Sequence, residues 1–211
     1  MTVKTFVFSP FQENTYIVYS DSKDAIIIDA GCYNDVEKQN LKHFIESNDL
    51  NIKYLLNTHL HLDHQFGNKF VSNTFGLKPQ AHIEDEFLLE NVNAQARSFG
   101  MNINEDAQNI GKYIVDNEVI EFANSQILVL HVPGHSPGSL AFYFEKEGMV
   151  FVGDVLFRGS IGRTDLPKGD YATLINSITK KLLPLPDSTV VYSGHGPTTT
   201  IGYEKINNPY L

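Results

Sequence analysis

Cysteine is nearly absent. Cys32 is the only one in 211 residues, which rules out an intrachain disulfide and any structural zinc site built from several thiolates. Its setting, IIIDAGCYND, puts no histidine or arginine beside it, so it reads as a packing residue and not as a reactive thiol. Basic charge is scarce too: 16 Lys and Arg stand against 25 Asp and Glu, a formal net charge of −9. With no basic run anywhere, neither a nucleic acid nor an anionic membrane surface is an expected partner. No stretch of 18 consecutive apolar residues occurs, and the opening MTVKTFVFSPFQENTY has no basic segment followed by a long apolar one. The expectation is a protein that neither crosses a membrane nor carries an export signal, and that acts on a small molecule in the cytoplasm. Low-complexity tracts and clear repeats are also missing. At 42% hydrophobic residues, the chain can bury one substantial core, and residues 1–211 are expected to form a single domain.

Histidine, by contrast, is concentrated. The segment THLHLDH holds His59, His61, Asp63 and His64, donors that zinc, iron and manganese accept, and no packing rule gathers them in a polar loop. Three further donors stand at the ends of apolar runs: His135 after ILVLHVPG, Asp154 after MVFVG and His195 after VVYSG. The THLHLDH segment itself follows such a run, IKYLLNT. Runs of this kind read as buried strands, so the donors are expected on loops along one edge of a sheet structure. Counting them gives two ions. His59, His61 and His135 would face the first, Asp63, His64 and His195 would hold the second, and the two oxygens of Asp154 would bridge both. Singly, Asp63 could cap a helix, His195 could be a turn residue and Asp154 could end a strand; seven such coincidences on one theme are not credible. His43, His82 and His131 fit structural or exposed roles.

Strand-like runs VKTFVF, NTYIVYS and AIIIDAG precede a helical stretch at about Val36 to Ser47 and then IKYLLNT. A second helical stretch spans about Glu84 to Phe99, with Phe87, Leu88, Val92 and Phe99 as core positions, although an aromatic there could line a substrate channel. Strands EVIEFA, QILVLHVP, SLAFYFE and MVFVGD follow, then a helix near Tyr171 to Leu183 and TVVYSGHG. Strands grouped before helices, twice over, predict an α/β (α+β) αββα sandwich of two mixed sheets with helices on the outer faces. The short connections from QILVLHVP to MVFVGD require antiparallel neighbours and disfavour an open parallel sheet.

The ordered motifs THLHLDH, PGHSPGS, GDVLF and SGHG resemble those of the metallo-β-lactamase superfamily across nearly the whole chain. All seven metal positions of its binuclear pattern are filled. GDVLFRGSIGRTDLPKGD and HGPTTTIGYEKINNPYL are similar to the short, single-domain glyoxalase II-like (hydroxyacylglutathione hydrolase-like) branch. That resemblance implies hydrolysis of a thioester such as S-D-lactoylglutathione. Longer glyoxalase II enzymes add a C-terminal helical region with glutathione-binding residues, whereas this sequence reaches Leu211 soon after SGHG. The resemblance therefore carries the hydrolysis and not the identity of the thiol.

The expected chemistry agrees. Two divalent ions, with zinc ahead of iron or manganese, would lower the pKa of bound water toward 7 and polarise a carbonyl. A thiolate leaves with little protonation, while an amide nitrogen needs a proton donor, and none is evident beyond Asp63, which could shuttle a proton besides its ligand role. Asp63 and Asp154 are thus the candidate catalytic carboxylates. Arg158, Arg163 and Lys168 are candidate substrate-binding residues, although Arg163 and Asp165 could simply pair within GRTDLP. Tyr143 and Tyr171 read as core before substrate contacts. The main rival is an iron persulfide dioxygenase with His59, His135 and Asp154 on one ion; a lactone or other ester hydrolase is a variant of the first reading. A β-lactamase, an RNA-processing nuclease and an inert structural metal module fit less well, because of Asp154, the acidic balance and the number of donors respectively.

Overall fold

Apolar, β-branched runs too short for helices become strands buried on both faces, and the computed structural model, which describes residues 1–90, 92–103 and 106–211, contains two mixed sheets built from them. The chain divides into two compact units, Met1–Tyr113 and Ile114–Leu211.

In the first unit the strands are β1 (Thr2–Phe8), β2 (Glu13–Tyr19), β3 (Asp24–Ile28), β4 (Asn51–Leu56), β5 (Pro79–Ala81) and β6 (Lys112–Tyr113), hydrogen-bonded in that order. The first three are antiparallel; β3 to β6 run parallel. Parallel neighbours need crossovers, and each contains helix: α1 (Asp35–Ser47) between β3 and β4, α2 (Leu62–Gln65) and α3 (Asn68–Phe75) between β4 and β5, and a 3-10 helix with α4 (Val92–Ser98) between β5 and β6. The side chain of Asn34 accepts the Glu37 N–H at 3.0 Å and starts α1. Leu41 and Ile45, one helical turn apart, join Val71 of α3 over Phe8, Ile17, Ile27 and Leu55. On the opposite face Val18, Ile26, Ile28 and Leu56 are equally buried, which is why these strands read as unbroken apolar runs.

The second unit contains β7 (Val119–Phe122), β8 (Ser125–His131), β9 (Leu140–Phe144), β10 (Met149–Gly153), the hairpin β11 (Leu156–Phe157) and β12 (Ser160–Ile161), β13 (Val190–Ser193) and β14 (Thr199–Thr200). Its main sheet has the order β14-β13-β10-β9-β8-β7. The short connections predicted to force antiparallel pairing do so for β8, β9 and β10, while β10 and β13 are parallel. Strands β8, β10 and β13 therefore point the same way, and their C-terminal ends lie at one end of the sheet. A helix α5 (Tyr171–Ser177), continued as a π-helical turn at Ile178–Leu182, buries Leu174, Ile178 and Leu182 against Leu130, Val150 and Val191. A last helix, α6 (Ile201–Asn207), follows β14.

The helix expected over 84–99 is two elements, a 3-10 helix at Ile83–Leu89 and α4 (Val92–Ser98), and residue 91 lies outside the described residues. Leu88 and Val92 are core residues as expected, but Phe99 falls beyond α4 and is 58% exposed, edge-on to Phe11. Tyr143 is buried, whereas Tyr171 begins α5 and is exposed. Among the described residues no helix is long and apolar enough to cross a membrane.

Candidate metal centre

The loop after β4 carries the first group of donors. Three buried contacts fix its backbone: Leu60 N–H donates to Asp85 Oδ2 at 3.1 Å, Gln65 Nε2 to the Leu60 carbonyl at 2.7 Å and Asn57 Nδ2 to the His64 carbonyl at 2.8 Å. Leu60 is fully buried beside Ala81 and Leu88, so the extended backbone turns its neighbours His59 and His61 the other way. Their rings lie 4.8 Å apart, and His64, brought round by α2, has its ring 4.0 Å from that of His59. Asp63 sits in the first turn of α2 and not at its cap; its Oδ2 is 3.9 Å from His64 Nε2.

Hydrogen bonds on the far side of these rings decide which nitrogen is offered. Asp29, at the end of β3, accepts Thr58 N–H at 2.7 Å and the Thr58 hydroxyl at 2.6 Å, and its Oδ2 lies 3.0 Å from His64 Nδ1. A carboxylate only accepts, so His64 carries its proton on Nδ1. The Thr58 hydroxyl, its proton given to Asp29, is left to accept from His59 Nδ1 at 3.1 Å. In both rings Nε2 is then the unprotonated nitrogen, the state a metal ligand requires.

The second unit repeats the device. His135 follows β8, Asp154 follows β10 and His195 follows β13, so all three stand at the same end of their sheet. The Arg163 carbonyl lies 2.8 Å from His135 Nδ1 and, being an acceptor, again leaves Nε2 as the lone pair. That Nε2 is 3.7 Å from Asp154 Oδ2, and His195 Nε2 is 3.5 Å from the same oxygen. For His135 and Asp154, two lone-pair donors face each other beyond hydrogen-bond range; ligands about 2.1 Å from a shared ion stand roughly 3.4 Å apart. The donors therefore fit a divalent cation. Gly162 makes the geometry possible: a Cβ there would fall 1.8 Å from the Asp154 carbonyl oxygen and 3.2 Å from His135 Nδ1.

Of the candidate substrate residues, Arg163 is turned away from its own backbone role. Its Nε and a terminal nitrogen each reach an Asp165 oxygen at 2.6 Å on the surface, and this bidentate bond holds the Asp165 carboxyl down at about 2. Arg158 is exposed, with its guanidinium 5.2 Å from the Tyr203 ring centre, and Lys168 occupies a turn with left-handed backbone. His43 is exposed on α1, the His82 ring accepts Glu84 N–H at the start of the 3-10 helix, and His131 Nε2 lies 2.7 Å from the Pro137 carbonyl. Cys32 is buried, and burial above all pushes its thiol up to about 12.

Four residues of the site escape sequence reasoning: Asp29, Thr58, Asp85 and Glu13. Glu13 is fully buried in β2, and Gly31 admits it, because a Cβ there would meet Glu13 Oε2 at 1.9 Å and the Asp63 carbonyl oxygen at 2.8 Å. Burial raises the Glu13 carboxyl well above the usual range against the opposing pull of His64. The only signal for this shell was an aspartate closing an apolar run in IIIDAG, directly upstream of a donor-rich loop.

Residues 8–195 match the family described as Metallo-beta-lactamase superfamily. The chain belongs to the metallo-β-lactamase superfamily. Hydroxyacylglutathione hydrolase GloC of Haemophilus influenzae is 41% identical over 218 residues, spanning 100% of this chain and 98% of that protein. Among solved structures, BLEG-1 B3 metallo-beta-lactamase is 38% identical with a TM-score of 0.87, covering 100% of this chain and 99% of that one. TTHA1623 in a di-iron-bound form is 36% identical with a TM-score of 0.85, and the match covers both chains completely. The α/β class with two mixed sheets is thus the fold of this superfamily, and the chain is a metal-dependent hydrolase that uses divalent metal.

Proposed function

We propose that this hydrolase cleaves thioesters, with S-D-lactoylglutathione as the reference substrate, and that two ions, zinc by preference, are held by His59, His61 and His135 and by Asp63, His64 and His195, with Asp154 shared. The observation that carries the reading is the pair of imidazole nitrogens, His135 Nε2 at 3.7 Å and His195 Nε2 at 3.5 Å, on one oxygen of Asp154. It is supported by full-length similarity to a protein named for thioester hydrolysis.

Bound divalent metal supplies an activated water and a positive charge beside the developing oxyanion. The chain's own residues do the rest. Asp29, Thr58 and the Arg163 carbonyl hold three imidazoles with Nε2 forward, so no reorientation is needed when substrate arrives. Asp63, partly exposed where its neighbour His64 is sealed, would pass a proton to solvent. A departing thiolate, with a conjugate acid near pKa ~8.5, needs no dedicated donor.

The test is anaerobic turnover of S-D-lactoylglutathione by protein of measured metal content, run beside a lactone, a β-lactam and glutathione persulfide with oxygen. Two metals per chain with thioester hydrolysis as the fastest reaction is the expected result. Oxygen consumption on the persulfide without thioester cleavage, or faster lactam opening, would overturn it. Asp154→Ala should lose metal from both positions and nearly all turnover; two retained metals with normal rates would refute the shared role.

A further inference from the structure

We infer that Glu204, on the C-terminal helix, is a positioning residue for the metal-ligand loops of the second unit; this rests on the reading of His135, Asp154 and His195 as ligands. Glu204 is completely buried, and its carboxyl accepts three hydrogen bonds. Gly159 N–H donates to Oε2 at 3.0 Å, Asn208 Nδ2 to the same oxygen at 2.7 Å, and the Thr199 hydroxyl to Oε1. Asn208 Nδ2 also reaches the Ser160 carbonyl at 3.0 Å. A buried carboxylate is costly to keep unless its donors are built around it, and α6 could have been held on the sheet by Ile201 alone, which already lies in the apolar cluster.

The donors explain why a carboxyl stands there. Gly159 is in the turn of the β11–β12 hairpin and Ser160 opens β12, within the segment that leaves Asp154 and arrives at Arg163. Thr199 lies four residues past His195. One carboxyl thus grips both ligand-bearing segments at once. The hairpin is coupled onward: Ser193 Oγ donates to the Leu156 carbonyl at 2.6 Å, the Phe157 ring stands edge-on to His195 at 6.4 Å, and Arg163, just past β12, offers its carbonyl to His135 Nδ1. Gly162 N–H donates to the Val155 carbonyl at 3.2 Å, so the hairpin base closes directly on the residue after Asp154. A shift of the turn would be passed to all three ligands. Outward-facing Arg158, stacked on Tyr203 of the same helix, adds a second grip on the turn.

The experiment compares wild type with Glu204→Ala, Glu204→Gln and Asn208→Ala. It reads zinc affinity by competition with a chromophoric chelator, thermal unfolding of the metal-free protein, and kcat and KM separately. Glu204→Ala should weaken zinc binding about 10- to 100-fold, and kcat should fall with KM little changed. Glu204→Gln keeps acceptors for Gly159 and Asn208 and offers an amide N–H to the Thr199 oxygen, so its zinc affinity should return to within about threefold of wild type. A role confined to folding would lower metal-free stability while leaving zinc affinity and kcat alone in every variant that folds, and that result would overturn the inference. Should Glu204→Ala fail to fold, Asn208→Ala decides: unchanged zinc affinity overturns the inference, weaker affinity with a folded metal-free state supports it. Failure of the underlying reading looks different, since then His195→Ala would leave zinc affinity unchanged, and the positioning role would fall with it.

Discussion

At the scale of single residues, the orientation of three imidazoles depends on the group that each Nδ1 meets. Asp29 accepts from Thr58 twice and from His64 Nδ1 once, so Asp29→Ala strands buried donors and frees His64 to take the wrong tautomer. The expected loss is about 3 kcal/mol of metal-free stability, read by urea unfolding, and about 10- to 100-fold in zinc affinity, read by chelator competition. Wild-type affinity in the variant would show that the ring needs no holder. Cys32 makes a second, independent test. Its thiol is buried and pushed up to about 12, and only a thiolate attacks a disulfide reagent. Native protein should therefore stay unreactive toward such a reagent at pH 8 and become reactive only in denaturant; rapid native labelling would contradict the packing role. These residues also mark where sequence reading stopped. His59, His61, Asp63, His64, His135, Asp154 and His195 stand out because donor-rich loops at the ends of apolar runs have no packing explanation. Asp29 looked like any strand-ending aspartate, and only its three hydrogen bonds set it apart.

At the scale of elements, close approach of two segments explains the glycine in SIGRTD. Gly162→Ala would drive a Cβ to 1.8 Å from the Asp154 carbonyl oxygen, which the backbone can relieve only by moving the turn that presents Arg163 to His135. We expect about 2–3 kcal/mol of destabilisation and a lowered metal content by elemental analysis; a variant with full metal content would show that the loop tolerates the shift. The segment preceding β7 gives a pH-dependent case. Burial pushes the Asp116 carboxyl up, but Lys181 and the His131 N–H outweigh it and hold the carboxyl below its ordinary value. A depressed carboxylate stabilises the fold fully above its unfolded value near pH 4 and loses that contribution as pH falls through its native value. Asp116→Asn should thus lower stability at pH 7 and flatten the acid limb below about pH 4, by at most about 1 kcal/mol because the pair is a third exposed. An identical acid limb in the variant would dismiss the pair. The long strands and α1 were legible because their periodicity or apolar density persists over several residues. β5 and β6 were not: three residues opening on a proline, and two exposed ones, carry no pattern of their own and are strands only because β4 gives β5 a partner and β5 in turn gives one to β6. The helix expected over 84–99 divides after Leu89 because Leu88 and Val92 enter different apolar clusters.

For the whole molecule, each unit carries its donors where strands end, in the loop after β4 in the first and in the loops after β8, β10 and β13 in the second. The acidic balance of −9 favours cations over anions at the surface generally, but it is the arrangement of lone pairs, and not net charge, that selects a metal. If imidazole and carboxylate donors are held ready by hydrogen bonds made in the folded state alone, the unfolded chain cannot match their affinity, and metal binding becomes folding stability. With free zinc at 100 times each dissociation constant, every occupied site adds about 2.7 kcal/mol. Protein stripped with a strong chelator should accordingly unfold at lower urea than zinc-loaded protein, and restored zinc should return the midpoint along with hydrolysis. The gain should grow with the logarithm of free zinc above the dissociation constants and vanish in a variant lacking His59, His135 and His195. An unchanged midpoint across that zinc range, in protein whose turnover does respond, would mean that the unfolded chain binds zinc as well as the native one, and that these loops are shaped by the metal instead of prepared for it.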